Sequence, residues 1–231
     1  MAHPTPIVAL DVPDAASATA LLGRLGASAR FVKVGLQLFT AEGPAIVRAL
    51  RERSLRVFLD LKLHDIPNTV AHAVKSAAAL DVELLTLHAS GGAAMLRAAA
   101  EAAAGTPLTL LGVTVLTSLD ERGVGEAWGR EQVEMEAEVE RLARLAAACG
   151  IPGVVASVRE IPAVRRAGPT LRVLTPGIRL AGDAAGDQSR TATPAEAARL
   201  GADYVVLGRS VTAADDPAAA LARAIEELHA R

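Results

Sequence analysis

Residues 56–88 read RVFLDLKLHDIPNTVAHAVKSAAALDVELLTLH and carry the pattern that predicts the fold. Two short apolar runs, residues 56–62 and 83–88, flank an alanine-rich segment at residues 69–80. Short apolar runs bounded by polar residues are typical of strands, whereas the longer alanine-rich segment is typical of a helix. The stretch therefore predicts a strand, a crossover helix and a second strand parallel to the first.

The same alternation runs along the rest of the chain and predicts about eight such units. The predicted strands are residues 7–11, 31–35, 56–62, 83–88, 108–116, 153–157, 171–176 and 204–208. The predicted helices are residues 15–25, 42–53, 69–80, 93–103, 133–149, 160–167, 194–200 and 217–230. Strands that are apolar throughout, rather than alternately, are typical of a parallel sheet that is covered on both faces.

Eight units in 231 residues predict an α/β fold, a (β/α)₈ TIM barrel that residues 1–231 form as a single domain. An open doubly wound sheet usually has fewer strands. The first predicted strand is not followed by a G-x-G-x-x-G motif, which argues against a dinucleotide-binding fold. In barrels of this kind the catalytic groups lie at the carboxyl ends of the strands, so the polar residues there are the candidates.

Composition narrows the functional class. The net charge is −2 and the pI about 6.2, which argues against a general nucleic-acid binder. No apolar run is long enough to cross a bilayer, and residues 1–4 lack the features of a signal peptide. The single cysteine, Cys149, excludes an internal disulfide, and its apolar surroundings favour a buried side chain over a catalytic thiol. We expect a cytoplasmic protein without nucleic-acid or membrane partners.

Charged residues lie at the ends of the first three predicted strands. Asp11 ends the first, Lys33 lies in the second, and Asp60 and Lys62 end the third. Because alternate residues of a strand face the same side, Asp60 and Lys62 point together while Leu61 faces the helices. Inward charges are costly unless they are paired or functional. A structural charge pair at the barrel mouth would explain one such pair, but four charges on three consecutive strands favour a functional site.

The residues around these charges resemble a known family. Residues 58–69, FLDLKLHDIPNT, are similar to the signature of orotidine 5'-phosphate decarboxylases. The D-x-K-x-x-D core is shared with related barrels, whereas the I-P-N-T that follows narrows the match. Further matches lie in family order at residues 9–11 (ALD), 31–35 (FVKVG), 115–118 (VLTS), 175–179 (TPGIR), 186–188 (GDQ) and 208–209 (GR). The resemblance is to the bacterial, stand-alone form.

This resemblance implies decarboxylation of orotidine 5'-monophosphate to UMP and CO₂, without metal or cofactor. It implies that Lys62 stabilises the carbanion at C6 and protonates it, and that Asp60 lies near the substrate carboxylate. Lys33 and Asp65 would complete an alternating Lys-Asp-Lys-Asp network. In the family the equivalent of Asp65 reaches the site of the neighbouring subunit, so the resemblance also implies a homodimer with shared sites.

The resemblance further implies how the nucleoside is bound. Asp11 is expected to contact the ribose hydroxyls, with Lys33 nearby, and Thr69 to contact the ribose or the dimer site. Thr117 and Ser118 are expected to meet the pyrimidine edge. Without the family match, these last two residues are an ordinary polar junction between a strand and a loop.

The phosphate end is indicated by the barrel geometry as well. Barrels often bind phosphate with the loops after strands seven and eight. Those loops contain Arg179, Gln188, Gly208 and Arg209, and the resemblance adds Pro176. Gly208 permits close approach of a backbone N–H to an anion, and Arg209 offers a bidentate contact, although a solvated surface arginine is the alternative. The glycine-containing residues 181–186 predict a mobile lid.

Two other functions compete with this hypothesis. Keto-gulonate-phosphate decarboxylases and hexulose-phosphate synthases share the D-x-K-x-x-D core but use Mg²⁺. The I-P-N-T at residues 66–69 argues against them, as does the lack of an evident extra carboxylate ligand. A non-catalytic barrel that only binds a nucleotide phosphate would have no need of an inward lysine at position 62. For His88, at the end of the fourth strand, an orienting role and a structural role both stay open.

Overall fold

The computed structural model describes residues 3–180 and 191–230 and shows a closed barrel of eight parallel strands. The strands are β1 (Thr5–Ala9), β2 (Phe31–Gly35), β3 (Arg56–Leu63), β4 (Leu84–His88), β5 (Thr109–Val113), β6 (Gly153–Val155), β7 (Arg172–Ile178) and β8 (Tyr204–Leu207). They pair in chain order, and β1 pairs with β8 to close the ring. The predicted TIM barrel is confirmed.

Helices follow the strands and surround the barrel. They are α1 (Ala15–Leu25), α2 (Leu36–Glu42), α3 (Pro44–Glu52), α4 (Pro67–Ala78), α5 (Gly92–Ala103), α6 (Glu121–Trp128), α7 (Met135–Ala148), α8 (Ile161–Ala167), α9 (Pro194–Leu200), α10 (Arg209–Thr212) and α11 (Pro217–His229). Within the described ranges, none of these helices combines the length and the apolar character needed to span a bilayer.

Local structure departs from the predicted elements, and the departures have physical reasons. The helix expected at residues 42–53 is α3, and an additional helix, α2, precedes it and ends at Gly43, whose φ of 60° suits glycine. A further helix that was not predicted, α6, follows β5, and its first turn is capped by the Asp120 carboxylate, which accepts from the Gly123 N–H at 2.8 Å.

The apolar residues form two layers, as expected for strands buried on both faces. The larger layer fills the space between the strands and the helices. The smaller layer lies inside the barrel and consists of Ile7, Ala9, Phe31, Phe58, Leu84, Leu111, Val113, Val155, Leu174, Tyr204 and Val206. The inner layer packs the barrel as a core rather than a pore. The space left for a ligand therefore lies above this layer, at the carboxyl ends of the strands.

Candidate active site

A cavity of about 600 Å³ opens at the carboxyl ends of the strands. This volume lies in the range that takes a small-molecule ligand. Its apolar wall comes from Ala9, Phe58, Val113, Val155, Leu174 and Val206, which also belong to the inner layer of the core. Its lining includes most of the predicted site residues: Asp11, Lys33, Asp60, Lys62, Thr117, Ser118, Pro176, Arg179, Gly208 and Arg209.

Two lysines and two aspartates form one cluster at the β1–β3 side of the cavity. The Lys33 ammonium lies 2.6 Å from Asp11 Oδ1 and 3.9 Å from Asp60 Oδ2. The Lys62 ammonium donates to both oxygens of Asp60, at 2.9 Å each. The Asp60 carboxylate therefore lies between two ammonium groups, whereas Asp65, the fourth member of the expected Lys-Asp-Lys-Asp network, is absent from the cavity lining.

Because the cluster is largely shielded from water, each of its charges needs its oppositely charged partner. The side chains of Lys33 and Asp60 are only 10% and 14% exposed. Charges removed from water to this degree are tolerated only when they are paired and hydrogen-bonded. Gly35 belongs to the same arrangement, because a Cβ there would lie 3.0 Å from Lys33 Nζ and 3.1 Å from Asp11 Oδ1. A side chain at position 35 would thus displace the paired ends of Lys33 and Asp11 by a few tenths of an ångström.

Lys62 has an unusual backbone for a strand residue. Its φ is 49°, in the left-handed region that non-glycine residues rarely adopt. The pairing of β3 with β4 changes register between Leu59 and Leu63, which is where this residue lies. Such a conformation costs about 1–3 kcal/mol, and it occurs most often at functional sites. Leu61 packs against the outer layer, so Asp60 and Lys62 face the cavity as predicted.

Thr86 is part of this cluster, although sequence reasoning missed it. It lies in β4 and is fully buried. Its hydroxyl donates to Asp60 Oδ1 at 2.8 Å and accepts from the Lys62 backbone N–H at 2.9 Å. The signal available in the sequence was a lone polar residue inside the apolar run of residues 84–87, two positions before His88.

The β7–β8 side of the cavity carries the groups predicted to bind phosphate. Arg179 follows β7, and its Nη1 donates to the Ile178 carbonyl at 3.1 Å. Gly208 connects β8 to α10, and Arg209, the first residue of that helix, is exposed at the cavity rim. A Cβ at Gly208 would meet no protein atom within 4 Å, so the space beside it belongs to the cavity. Thr212, at the end of α10, also lines this side and was not predicted.

Two predicted residues, Asp65 and Thr69, are absent from the cavity lining. Asp65 is exposed, and its Oδ1 accepts from the Ile66 backbone N–H at 2.6 Å. Thr69 is exposed on the first turn of α4. Gln188 and the predicted lid at residues 181–186 lie outside the described residues.

His88 lies at the end of β4 and is half-buried beside the charge cluster. Its ring centroid is 5.4 Å from that of His64. Burial is the main cause that lowers the pKa of His88 below its ordinary value, and the nearby His64 and Lys62 add to this effect while Asp60 opposes it. The lowered pKa favours the neutral form of the His88 imidazole. Residues 3–180 and 191–230 contain no group of three or more His, Cys, Asp or Glu side chains placed to hold a metal ion.

Comparisons with known proteins agree with this geometry. A family model described as "Orotidine 5'-phosphate decarboxylase / HUMPS family" matches residues 4–224. The orotidine 5'-phosphate decarboxylase of Moorella thermoacetica is 55% identical over 227 residues, covering 95% of this chain and 89% of that protein. The corresponding protein of Alkalilimnicola ehrlichii is 50% identical over 238 residues, covering 100% and 99%. The crystal structure of orotidine 5'-phosphate decarboxylase from Lactobacillus acidophilus matches with a TM-score of 0.86 and 34% identity, covering 99% of this chain and 100% of that one.

Proposed function

Because this chain belongs to the orotidine 5'-phosphate decarboxylase / HUMPS family, we propose that it converts orotidine 5'-monophosphate to UMP and CO₂ in pyrimidine biosynthesis. The observation that carries the proposal is the buried carboxylate of Asp60, held between the ammonium groups of Lys33 and Lys62 in an apolar-walled cavity. A site that only binds phosphate has no use for a Lys-Asp-Lys array in addition to the arginines of the anion-binding loops.

The chemistry explains why such an array is needed. Breaking the bond between C6 and the carboxylate leaves an electron pair in the plane of the pyrimidine, where the ring π system does not delocalise it. Stabilisation must therefore come from a fixed positive charge near C6. We assign this role to the Lys62 ammonium, which then gives a proton to C6 and is reprotonated from solvent. The two hydrogen bonds from Lys62 to Asp60 fix the position of that charge before substrate arrives.

Asp60 has a second role in the proposal. A substrate carboxylate placed next to the Asp60 carboxylate is repelled, and the repulsion disappears when neutral CO₂ leaves. The contribution of such ground-state destabilisation to catalysis is contested. Lys33 lies 3.9 Å from Asp60 Oδ2 and also pairs with Asp11, which we assign to the ribose hydroxyls.

Binding at the far end supports the chemistry at C6. We assign the phosphate to Arg179, Gly208 and Arg209, together with Gln188, and the pyrimidine edge to Thr117 and Ser118. Contacts to a remote phosphate supply binding energy that can be used to orient the reacting atoms. Pro176, which also lines the cavity, would contact the nucleotide.

We also propose a homodimer in which Asp65 and Thr69 act in the site of the partner subunit. Both are exposed, and they flank Ile66, whose exposure is 66%. Leu36, at the start of α2, is 56% exposed. Large exposed apolar side chains next to charged ones are typical of a protein interface. We further propose a cytoplasmic location, in which the single cysteine stays reduced.

The activity is tested by following the ultraviolet absorbance of orotidine 5'-monophosphate with purified protein in excess EDTA. Conversion to UMP is expected. Absence of conversion, together with Mg²⁺-dependent activity on a keto-gulonate phosphate or hexulose phosphate, would assign the chain to the metal-dependent branch. Binding of the nucleotide without either activity would show that the protein is a non-catalytic barrel that only binds a nucleotide phosphate.

The shared site is tested by mixing two inactive variants, Lys62→Ala and Asp65→Ala. If Asp65 acts across the dimer, each mixed dimer has one intact site and one site with both changes. Equal amounts of freely exchanging subunits then recover about a quarter of the wild-type activity, because half of the dimers are mixed and half of their sites are intact. If Asp65 acts within its own chain, every site carries a change and no activity returns.

A further inference from the structure

The hydroxyl of Thr86, in β4, contacts both the side chain of Asp60 and the backbone of Lys62. The threonine is 0% exposed, and Leu84, on the same face of β4, belongs to the inner apolar layer. A hydroxyl in such surroundings is costly unless its hydrogen bonds are made. Both are made here, and both go to residues of the charge cluster.

The direction of these two hydrogen bonds follows from the groups involved. The Lys62 backbone N–H can only donate, so Thr86 Oγ1 is the acceptor of this hydrogen bond. The single proton of the hydroxyl is then left for Asp60 Oδ1, an ionised acceptor. The hydroxyl has one stable orientation, and each bond polarises the other. The two hydrogen bonds of the Thr86 hydroxyl thus link the backbone position of Lys62 to the orientation of the Asp60 carboxylate.

The backbone of Lys62 needs such support. Its left-handed φ and the local register change between β3 and β4 remove its N–H from the regular ladder. A backbone N–H left without an acceptor inside a protein is costly. Thr86 supplies the missing acceptor, so the conformation that turns Lys62 toward the cavity is held from the neighbouring strand.

We propose that Thr86 is a positioning residue for the reaction. It fixes the Lys62 ammonium relative to the substrate C6 by holding both the main chain of Lys62 and the carboxylate that this ammonium contacts. The inference rests on the proposed decarboxylation. Thr86 itself is absent from the cavity lining, so its effect on substrate passes through Lys62 and Asp60.

The test replaces Thr86 with valine, which keeps the shape and removes the hydroxyl. We expect kcat to fall about 10- to 100-fold, the effect of losing a hydrogen bond to a charged group and misplacing a catalytic one. KM for orotidine 5'-monophosphate should change less than about threefold, because the assigned ribose and phosphate contacts are untouched. Thr86→Ser, which restores the hydroxyl, should return kcat to within about threefold of wild type.

Thr114→Val is the matched control. Thr114 is also buried, 2% exposed, and its hydroxyl donates to the Val155 carbonyl at 2.8 Å, outside the charge cluster. This variant should lose thermal stability to a similar degree but keep kcat. Equal losses of kcat in the two valine variants, or failure of Thr86→Ser to restore it, would show that Thr86 is merely structural.

A readout that does not need activity separates this inference from the proposed function. Hydrogen exchange of the Lys62 backbone amide, followed by NMR in protein without ligand, should be slow in wild type and in Thr86→Ser. It should be at least about tenfold faster in Thr86→Val, since the amide loses its acceptor. Unchanged exchange in Thr86→Val would overturn the positioning role. An inactive wild type with the expected exchange pattern would refute only the decarboxylation.

Discussion

Replacing Lys62 with alanine removes the charge and the proton donor that the proposed reaction needs at C6. A unit charge about 4 Å from a developing anion, at an effective dielectric constant of about 20, is worth about 4 kcal/mol, or about 10³-fold in rate. Loss of a positioned general acid costs a further factor of about 10² to 10⁴. These effects are not strictly additive, but together they predict a fall in kcat of at least about 10⁵-fold.

The Lys62→Ala variant should nevertheless fold and bind product. Asp60 loses two hydrogen bonds at 2.9 Å, but it keeps the Thr86 hydroxyl at 2.8 Å and the Lys33 ammonium at 3.9 Å. UMP has no carboxylate at C6 to contact Lys62, and its phosphate engages the assigned phosphate-binding residues. Calorimetry should therefore still detect its binding. Lys75→Ala is the control, because Lys75 is exposed on α4, away from the cavity.

The decisive assay is the absorbance change of orotidine 5'-monophosphate at saturating substrate, combined with UMP titration and thermal melting of the same preparation. A Lys62→Ala variant that retains kcat within about tenfold of wild type would refute the proton-donor role. A variant that melts far below wild type and no longer binds UMP would instead show that Lys62 is required for the fold, contrary to the pairing described above.

Three further predictions concern the surroundings of the cluster. Gly35→Ala places a methyl group 3.0 Å from the Lys33 ammonium and should lower kcat/KM about tenfold, whereas Gly23→Ala in α1, where a Cβ meets nothing within 4 Å, should leave it unchanged. Arg209→Ala should raise KM at least about tenfold without lowering the melting temperature, since the side chain is exposed; an unchanged KM would remove Arg209 from the phosphate site. Because the pKa of His88 lies below its ordinary value of 6.5, the unfolded chain binds more protons than the folded one near that pH. Wild-type stability should therefore fall more than that of His88→Gln between about pH 7.5 and about pH 5.5, and equal melting shifts would contradict this.

The barrel was predictable because its signal is carried by whole segments. Eight apolar runs separated by helical segments specify the strand count, and small errors at their ends do not change it. β1 was expected at residues 7–11 but is Thr5–Ala9, which leaves Asp11 just beyond the strand. Such ends depend on pairing with neighbouring strands, here β8 through Thr5 and Tyr204, which lie far apart in the chain.

The charged residues of the site could be predicted from the sequence, but the residues and backbone conformation that hold them in place could not. Asp60 and Lys62 stand out because charges are rare at inward positions of a barrel. Thr86 does not stand out, because threonine is an ordinary strand residue and its partners lie on another strand. The left-handed backbone of Lys62 depends on the register change between β3 and β4, and no residue type in the segment signals it, since glycine is absent there.

The site forms only when the barrel closes. The charge cluster comes from the ends of β1 to β4, and the anion-binding groups follow β7 and β8. In an open sheet with this strand order, β1 and β8 would be opposite edges, and Asp11 would lie far from Arg209. The pairing of Val8 with Leu207 brings those edges together and places both groups around one cavity. A change that weakens the β1–β8 pairing should therefore separate phosphate binding from chemistry before it unfolds the helices.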